Sequence, residues 1–178
     1  VSDVKELEGL SEGDIQKAAA LAERTGAKGQ YRFNMQRPSC NPVLQYAKNR
    51  DLRRQVYEMY NNRCNHNDKY DNKAISAQIV ELRLEMAKLM GYNTFADMQL
   101  ETRMAKTSEA VYGLLDQVWE PAIRKAKAEL ADIQAEIKKD GKNFEAEGWD
   151  WRYYADRAKK AKFSFDENLI RPYLKLEN

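Results

Sequence analysis

Few residues in this 178-residue chain could do acid–base, nucleophilic or metal chemistry, because it holds one histidine, His66, and two cysteines, Cys40 and Cys64. A hydrolytic zinc centre needs three protein ligands, commonly two histidines and a carboxylate, with a position left open for water. One histidine cannot supply that set. His66 stands in a stretch rich in Asn and Asp and reads as a solvated loop residue. A Ser/His/Asp or Cys/His arrangement would also have to use His66. Its neighbour Cys64 is only two residues away, and adjacent loop positions rarely give triad geometry. Neither cysteine has a CxxC partner, which argues against a redox motif or a cysteine-only metal site. Two free thiols in a reducing compartment are expected, with a single Cys40–Cys64 bridge left open. No GxGxxG or GxxxxGK[ST] string is present to cradle a phosphate.

Two further groupings carry charge at suggestive spacing. Glu81 and Glu85 share a helical face and could in principle bind a metal or share a proton, but Arg83 and Lys88 lie among them. A solvated charged face is the better reading. Arg157, Lys159, Lys160 and Lys162 follow Trp149, Trp151, Tyr153 and Tyr154, a mixture that could stack and hold single-stranded nucleic acid. Glu145, Glu147, Asp156 and Asp166 dilute the positive field, and Trp151 and Tyr154 fall on one apolar face. Core packing with snorkelling lysines is therefore expected, and no nucleic-acid partner.

The elements that would position these residues are helices. Glycine and proline are scarce (8 and 4), charged residues make up 33% and apolar residues 43%, and the helix formers Ala, Glu, Lys, Leu and Arg dominate. Thirty bases against 28 acids leave a net charge of +2, which gives no global pull toward nucleic acid or anionic lipid. No apolar run approaches the ~18 residues that span a bilayer, and no membrane partner is expected. Ser11 and Asp14 have capping-box spacing ahead of Ile15, Ala18, Ala19 and Ala22, and Gly26 is placed to end that helix. Tyr31, Phe33 and Met35 alternate with polar residues and predict one short half-buried strand that stops before Pro38. Asn41-Pro42 reads as a cap followed by proline at the first helical position.

Helices are then predicted from Asn49, with Leu52, Val56, Met59 and Tyr60 on one face, and from about Asn72 to Met90. The second carries Ile75, Ile79, Leu82, Met86 and Leu89 at intervals of 4, 3, 4 and 3, with Gly91 as its terminal cap. Thr94 and Asp97 form another capping box before a short helix. Thr107 caps a long helix running to Gly141, interrupted by an expected kink at Pro121. Its seam of Ile123, Ala126, Leu130, Ile133 and Ile137 suits a partner helix. Trp151, Tyr154, Ala155 and Ala158 form a last apolar face, and Asp166 is placed to cap a short helix ending before Pro172. The fold class is all-α, a multi-helix segment with long amphipathic helices and at most one short strand or hairpin near residues 30–36. Residues 1–178 read as a single helical unit.

Longer strings are more specific than these spacings. NRDLRRQVYEMYNNR (Asn49–Arg63), AISAQIVELRLEMAKLMGYNTFADM (Ala74–Met98), MAKTSEAV (Met104–Val111), WDWRYYADRAKKAKF (Trp149–Phe163) and IRPYLKLEN (Ile170–Asn178) come in one order and span most of the chain. Together they resemble the thimet oligopeptidase family of zinc metallopeptidases, and most closely its bacterial peptidyl-dipeptidase and oligopeptidase A branch. The resemblance implies an almost wholly helical enzyme, with two lobes around a deep channel, that hydrolyses short peptides. In the closest branch it implies release of dipeptides from C-termini. It also implies zinc held by a His-Glu-x-x-His helix and a later glutamate, beyond the family's Arg-Pro-Tyr segment and so beyond Asn178. The chain starts at Val1 rather than Met, and Val1 falls inside the family's N-terminal region.

On this reading the chain is an excised middle segment of a larger two-lobed metallopeptidase. No catalytic, zinc or substrate-contacting residue is assigned to any of its positions. It would serve as scaffold and channel wall, its partners being the missing N- and C-terminal parts, with zinc and short peptides belonging to the parent. The cytoplasm is the expected compartment, the periplasm the alternative. A stand-alone helical adaptor using Ile123, Leu130 and Ile137 is the competing reading.

Overall fold

The computed structural model describes residues 1–164 and 171–174. Among them are seven α-helices and no strand: α1 (Glu12–Arg24), α2 (Arg37–Tyr46), α3 (Arg50–Asn61), α4 (Lys73–Leu89), α5 (Phe95–Leu100), α6 (Ser108–Lys139) and α7 (Gly148–Phe163). Single 3-10 turns stand at Val4–Leu7 and Arg171–Leu174. The chain is all-α, as its composition and periodicity require. The expected cap at Asp166 lies outside the described residues.

Several helix ends follow directly from local chemistry. The Ser11 hydroxyl accepts the Asp14 N–H at 3.2 Å and Thr94 accepts that of Asp97 at 3.1 Å, each filling one of the donors a helix start leaves open. Thr107 does the same for Ala110 at the head of α6. At the other ends, Gly26, Gly91 and Gly141 all take positive φ.

Three local expectations change. Residues 31–35 do not join a ladder, although their burial alternates as a strand's would, with Tyr31, Phe33 and Met35 half-buried between exposed neighbours. The period is real but the partner is not another strand. Tyr31 exchanges both backbone hydrogen bonds with Val1, and Arg32 N–H reaches the Ala18 carbonyl at 3.0 Å. The helix expected at Pro42 begins five residues earlier, at Arg37. Pro38 then sits in the first turn, where its missing N–H is harmless, and Pro42 lies inside the helix. On α3, Met59 points to solvent instead of joining Leu52 and Val56. Pro121, the expected site of a kink, lies inside α6.

By their contacts the residues group into two compact units, 1–61 with 128–178, and 62–127. In the first unit, α2 packs on α1, α3 and α7, and α3 packs on α7. Leu7, Cys40, Val43, Leu44, Ala47, Leu52 and Val56 form its main core. Gly9 takes φ +100° against the Tyr46 carbonyl, where a Cβ would sit 2.1 Å from the oxygen, so only glycine allows this approach. A second cluster, Ile133, Ile137 and Tyr154, is closed by Phe144, Trp151 and Tyr153. The Gln134 amide fastens the connecting loop by donating to Phe144 O (2.8 Å) and accepting from Ala146 N–H (3.1 Å).

The second unit holds α4, α5 and the first part of α6. Its polar loop is organised by Lys73, whose ammonium donates to Asn65, Asn67 and Asp71 oxygens at 2.8–2.9 Å. Among its described residues only Ala87 is buried.

Candidate functional site

The first unit is joined at its centre by a charged cluster from α3 and α7. Arg50 and Arg53 are three residues apart and so share a face of α3. Asn49 holds the start of that helix, its side-chain oxygen accepting the N–H groups of Asp51 and Leu52. Asp150 lies in the first turn of α7 and reaches back to accept the Glu147 N–H at 3.2 Å. Its carboxylate is fully buried.

Arg50 grips this carboxylate in fork geometry, Nη2 to Oδ2 at 2.7 Å and Nε to Oδ1 at 3.0 Å. Arg53, itself 1% exposed, donates from Nη2 to Oδ1 at 3.0 Å. Its remaining donors go to backbone carbonyls: Nη1 to Ala47 (2.8 Å) and Lys48 (3.1 Å), Nε to Trp149 (3.3 Å). Aromatic faces complete the enclosure, with the Arg50 guanidinium 3.9 Å from the Phe144 ring centroid and that of Arg53 4.2 Å from Tyr153.

Burial pushes the Asp150 carboxyl up, but hydrogen bonds from Arg50, Arg53 and the Glu147 N–H outweigh it and hold the group below its ordinary value. The hydrogen bond to Asp150 raises Arg50 in return, against its own burial. A carboxylate so fully matched has no lone pair free to take a substrate proton. Chemically it is a clamp between α3 and α7, not a general base.

Beside it opens the larger cleft, about 470 Å³, lined by Arg37 and Asn41 of α2, Tyr57 and Tyr60 of α3, and Gly148 and Arg152 of α7, among others. Gly148 is required by shape: a Cβ there would come within 2.3 Å of the Tyr57 hydroxyl and 2.5 Å of its ring. A smaller cleft of about 210 Å³ lies between α1 and the segment from Arg32 to Ser39.

The residues singled out from sequence are dispersed. Cys40 is buried, its thiol donating to the Gln36 carbonyl, and Cys64 is exposed; both are free. His66 stands on the exposed loop, and Glu81 and Glu85 on an exposed part of α4. The basic cluster is matched by acids. Arg157 pairs with Asp140 (3.0 Å), Lys160 with Asp156 (2.8 Å), and Lys162 with Asp132. Trp151 and Tyr154 pack on Ile133 and Ile137, so the aromatic residues are core. The same packing covers the lower half of the α6 seam within the chain.

Among the described residues no three of His, Cys, Asp and Glu stand together to hold a metal. The donor set of the described residues does not fit zinc.

Reasoning from residue types missed Asp150 and its two arginines. Their signal lay in the strings rather than in any spacing, since NRDLRR and WDW bring Arg50, Arg53 and Asp150 together across 100 positions.

A helical scaffold of this kind, fastened by a buried ion cluster, defines a structural class rather than a reaction. Comparison with known proteins is more specific. Residues 43–178 match Peptidase family M3, and the chain belongs to that family. It is 34% identical to Oligopeptidase A of Haemophilus influenzae over 177 residues, 97% of this chain and 26% of the relative. It is 33% identical to Dipeptidyl carboxypeptidase of Escherichia coli over 176 residues (99% and 26%). To Probable cytosolic oligopeptidase A of Arabidopsis thaliana it is 35% identical over 188 residues (99% and 26%). The chain thus spans about a quarter of the length of these relatives. Both partners of the ion cluster fall inside the matched region. Among the described residues no helix is long and apolar enough to cross a membrane.

Proposed function

We propose that the chain is a non-catalytic helical segment of a zinc metallopeptidase that hydrolyses short peptides, in the manner of a peptidyl-dipeptidase releasing C-terminal dipeptides. Its part is scaffold and channel wall. Zinc, the reacting water and the peptide belong with the remainder of the polypeptide, and the compartment is the cytoplasm. Family membership and the quarter-length match support this reading.

The single observation that carries it is the exposure of α4. Ile75, Ile79, Leu82, Met86 and Leu89 are all exposed along one stripe, and Val80 and Leu84 are exposed roughly 140–180° around the helix. A helix apolar on opposite sides is built to be buried between other elements. The α6 seam of Ile123, Leu130 and Ile137 that an adaptor would use accounts for neither side of α4.

The test is to express the polypeptide extended in both directions from its own coding sequence and assay it on peptides with free C-termini. Zinc-dependent release of dipeptides, abolished by chelation and restored by zinc, is expected. An extended sequence without His-Glu-x-x-His, or one that folds, binds zinc and leaves such peptides intact, overturns the proposal.

A further inference from the structure

We propose that the 470 Å³ cleft bounded by α2, α3 and the start of α7 binds a small oxyanion, carboxylate or phosphate, through Arg37 and Arg152. The proposal does not rest on the peptidase reading. The volume is that of a small-molecule site. The cleft is positively charged. Of the arginines on α3 and α7, Arg50, Arg53, Arg54 and Arg157 are matched by carboxylates. Arg37 and Arg152 make no ion pair or hydrogen bond with any described residue, yet both line the same space.

No Asp or Glu lines the cleft with them. Asp150, two residues from Gly148, is not part of the lining and is already gripped by Arg50 and Arg53. Two unmatched guanidiniums around one volume, with no anion supplied by the described residues, are the donor set that carboxylates and phosphates satisfy best.

The remaining lining suits the body of such a molecule. The Asn41 amide is free to hydrogen-bond, Tyr57 offers a ring face and a phenolic oxygen, and Tyr60 and Leu44, both packed at the core, form the rest of the wall. The wall is firm because Tyr57 lies against Gly148 and edge-on to Trp149, with ring centroids 6.0 Å apart. A site whose wall is already packed loses little ordering entropy when it is filled.

Isothermal titration of the chain with three probes tests this: inorganic phosphate, a tripeptide with a free C-terminus, and the same tripeptide amidated. One-to-one binding is expected for phosphate, for the free peptide or for both, weakening as salt rises. The amidated peptide should not bind. Phosphate alone identifies a phosphate-type ligand, and the free peptide alone a carboxylate. Arg37→Gln and Arg152→Gln should each weaken binding about 10-fold, the scale of one charged hydrogen-bonding partner. Asn41→Asp, which places an anion in the cleft, should weaken it as well. All three side chains lack partners, so the variants should keep the wild-type helical circular dichroism and melting temperature. No binding of phosphate or free peptide by the wild-type chain overturns the proposal, as does equal binding by the folded Arg37→Gln/Arg152→Gln double variant.

Discussion

Asp150 shows how a buried charge is tolerated. Desolvation opposes the carboxylate, and two guanidiniums and a backbone N–H outweigh it. Removing one partner leaves the others buried and unmatched. Asp150→Ala should therefore destabilise the chain by about 3–5 kcal/mol, read from urea unfolding; a loss below ~1 kcal/mol would refute the clamp. The pH dependence follows from the same balance. Because the folded Asp150 value is depressed, its stabilisation is complete above the unfolded carboxyl value of about 4 and is lost as pH falls through the folded value. Wild-type stability should drop over that acid range more steeply than that of Asp150→Asn. Tyr154 works in the opposite direction. Burial and the neighbouring Asp140 push its hydroxyl up to about 12. Its contribution is full below about 10 and lost as pH rises to about 12. In an ultraviolet titration one tyrosine should ionise about two pH units late, and Tyr154→Phe should remove that step.

At the scale of elements, close approach decides what composition cannot. Gly148 opens α7, where alanine would normally be the better helix former. Here a Cβ would meet the Tyr57 ring. Gly148→Ala should cost about 1–3 kcal/mol, the usual range for overpacking. The loss should largely vanish against a Tyr57→Ala background, so a double-mutant cycle by chemical unfolding checks it, and additive losses would refute the contact. On α4 the expectation reverses. Leu89 is 87% exposed, so Leu89→Gln should change the stability of this chain by less than about 0.5 kcal/mol. A larger loss would mean that the chain itself covers that face.

The whole molecule divides into one unit with a packed core and one without. In residues 62–127 the apolar residues are present at helical spacing, yet Leu89, Met104 (99% exposed) and Trp119 (66% exposed) face solvent. The α4 stripe of Ile75, Ile79, Leu82, Met86 and Leu89 is contiguous along its helix, and contiguous exposed apolar surface marks a site of association. The isolated chain should bind an apolar fluorescent dye and self-associate in light scattering as concentration rises. The extended polypeptide should do neither, because its own elements would cover those faces. A monomeric, dye-silent chain would contradict this.

Apart from the start of α2, sequence alone determined the helices, their caps at Ser11, Thr94 and Thr107, their terminal glycines and the family, because these depend on neighbours within a turn or on strings of residues. It also marked period-two burial at Tyr31–Met35 correctly while assigning it to a strand, since periodicity reports which side chains turn inward and not what they meet. Only the tertiary structure decided that Arg50, Arg53 and Asp150 form one buried cluster, that Arg37 and Arg152 face one cleft unmatched, and that the stripe of α4 is left uncovered. Those are contacts between residues far apart in the chain. Whether a charge is a solvated face or a clamp, and whether an apolar stripe is core or surface, depends on what packs against it.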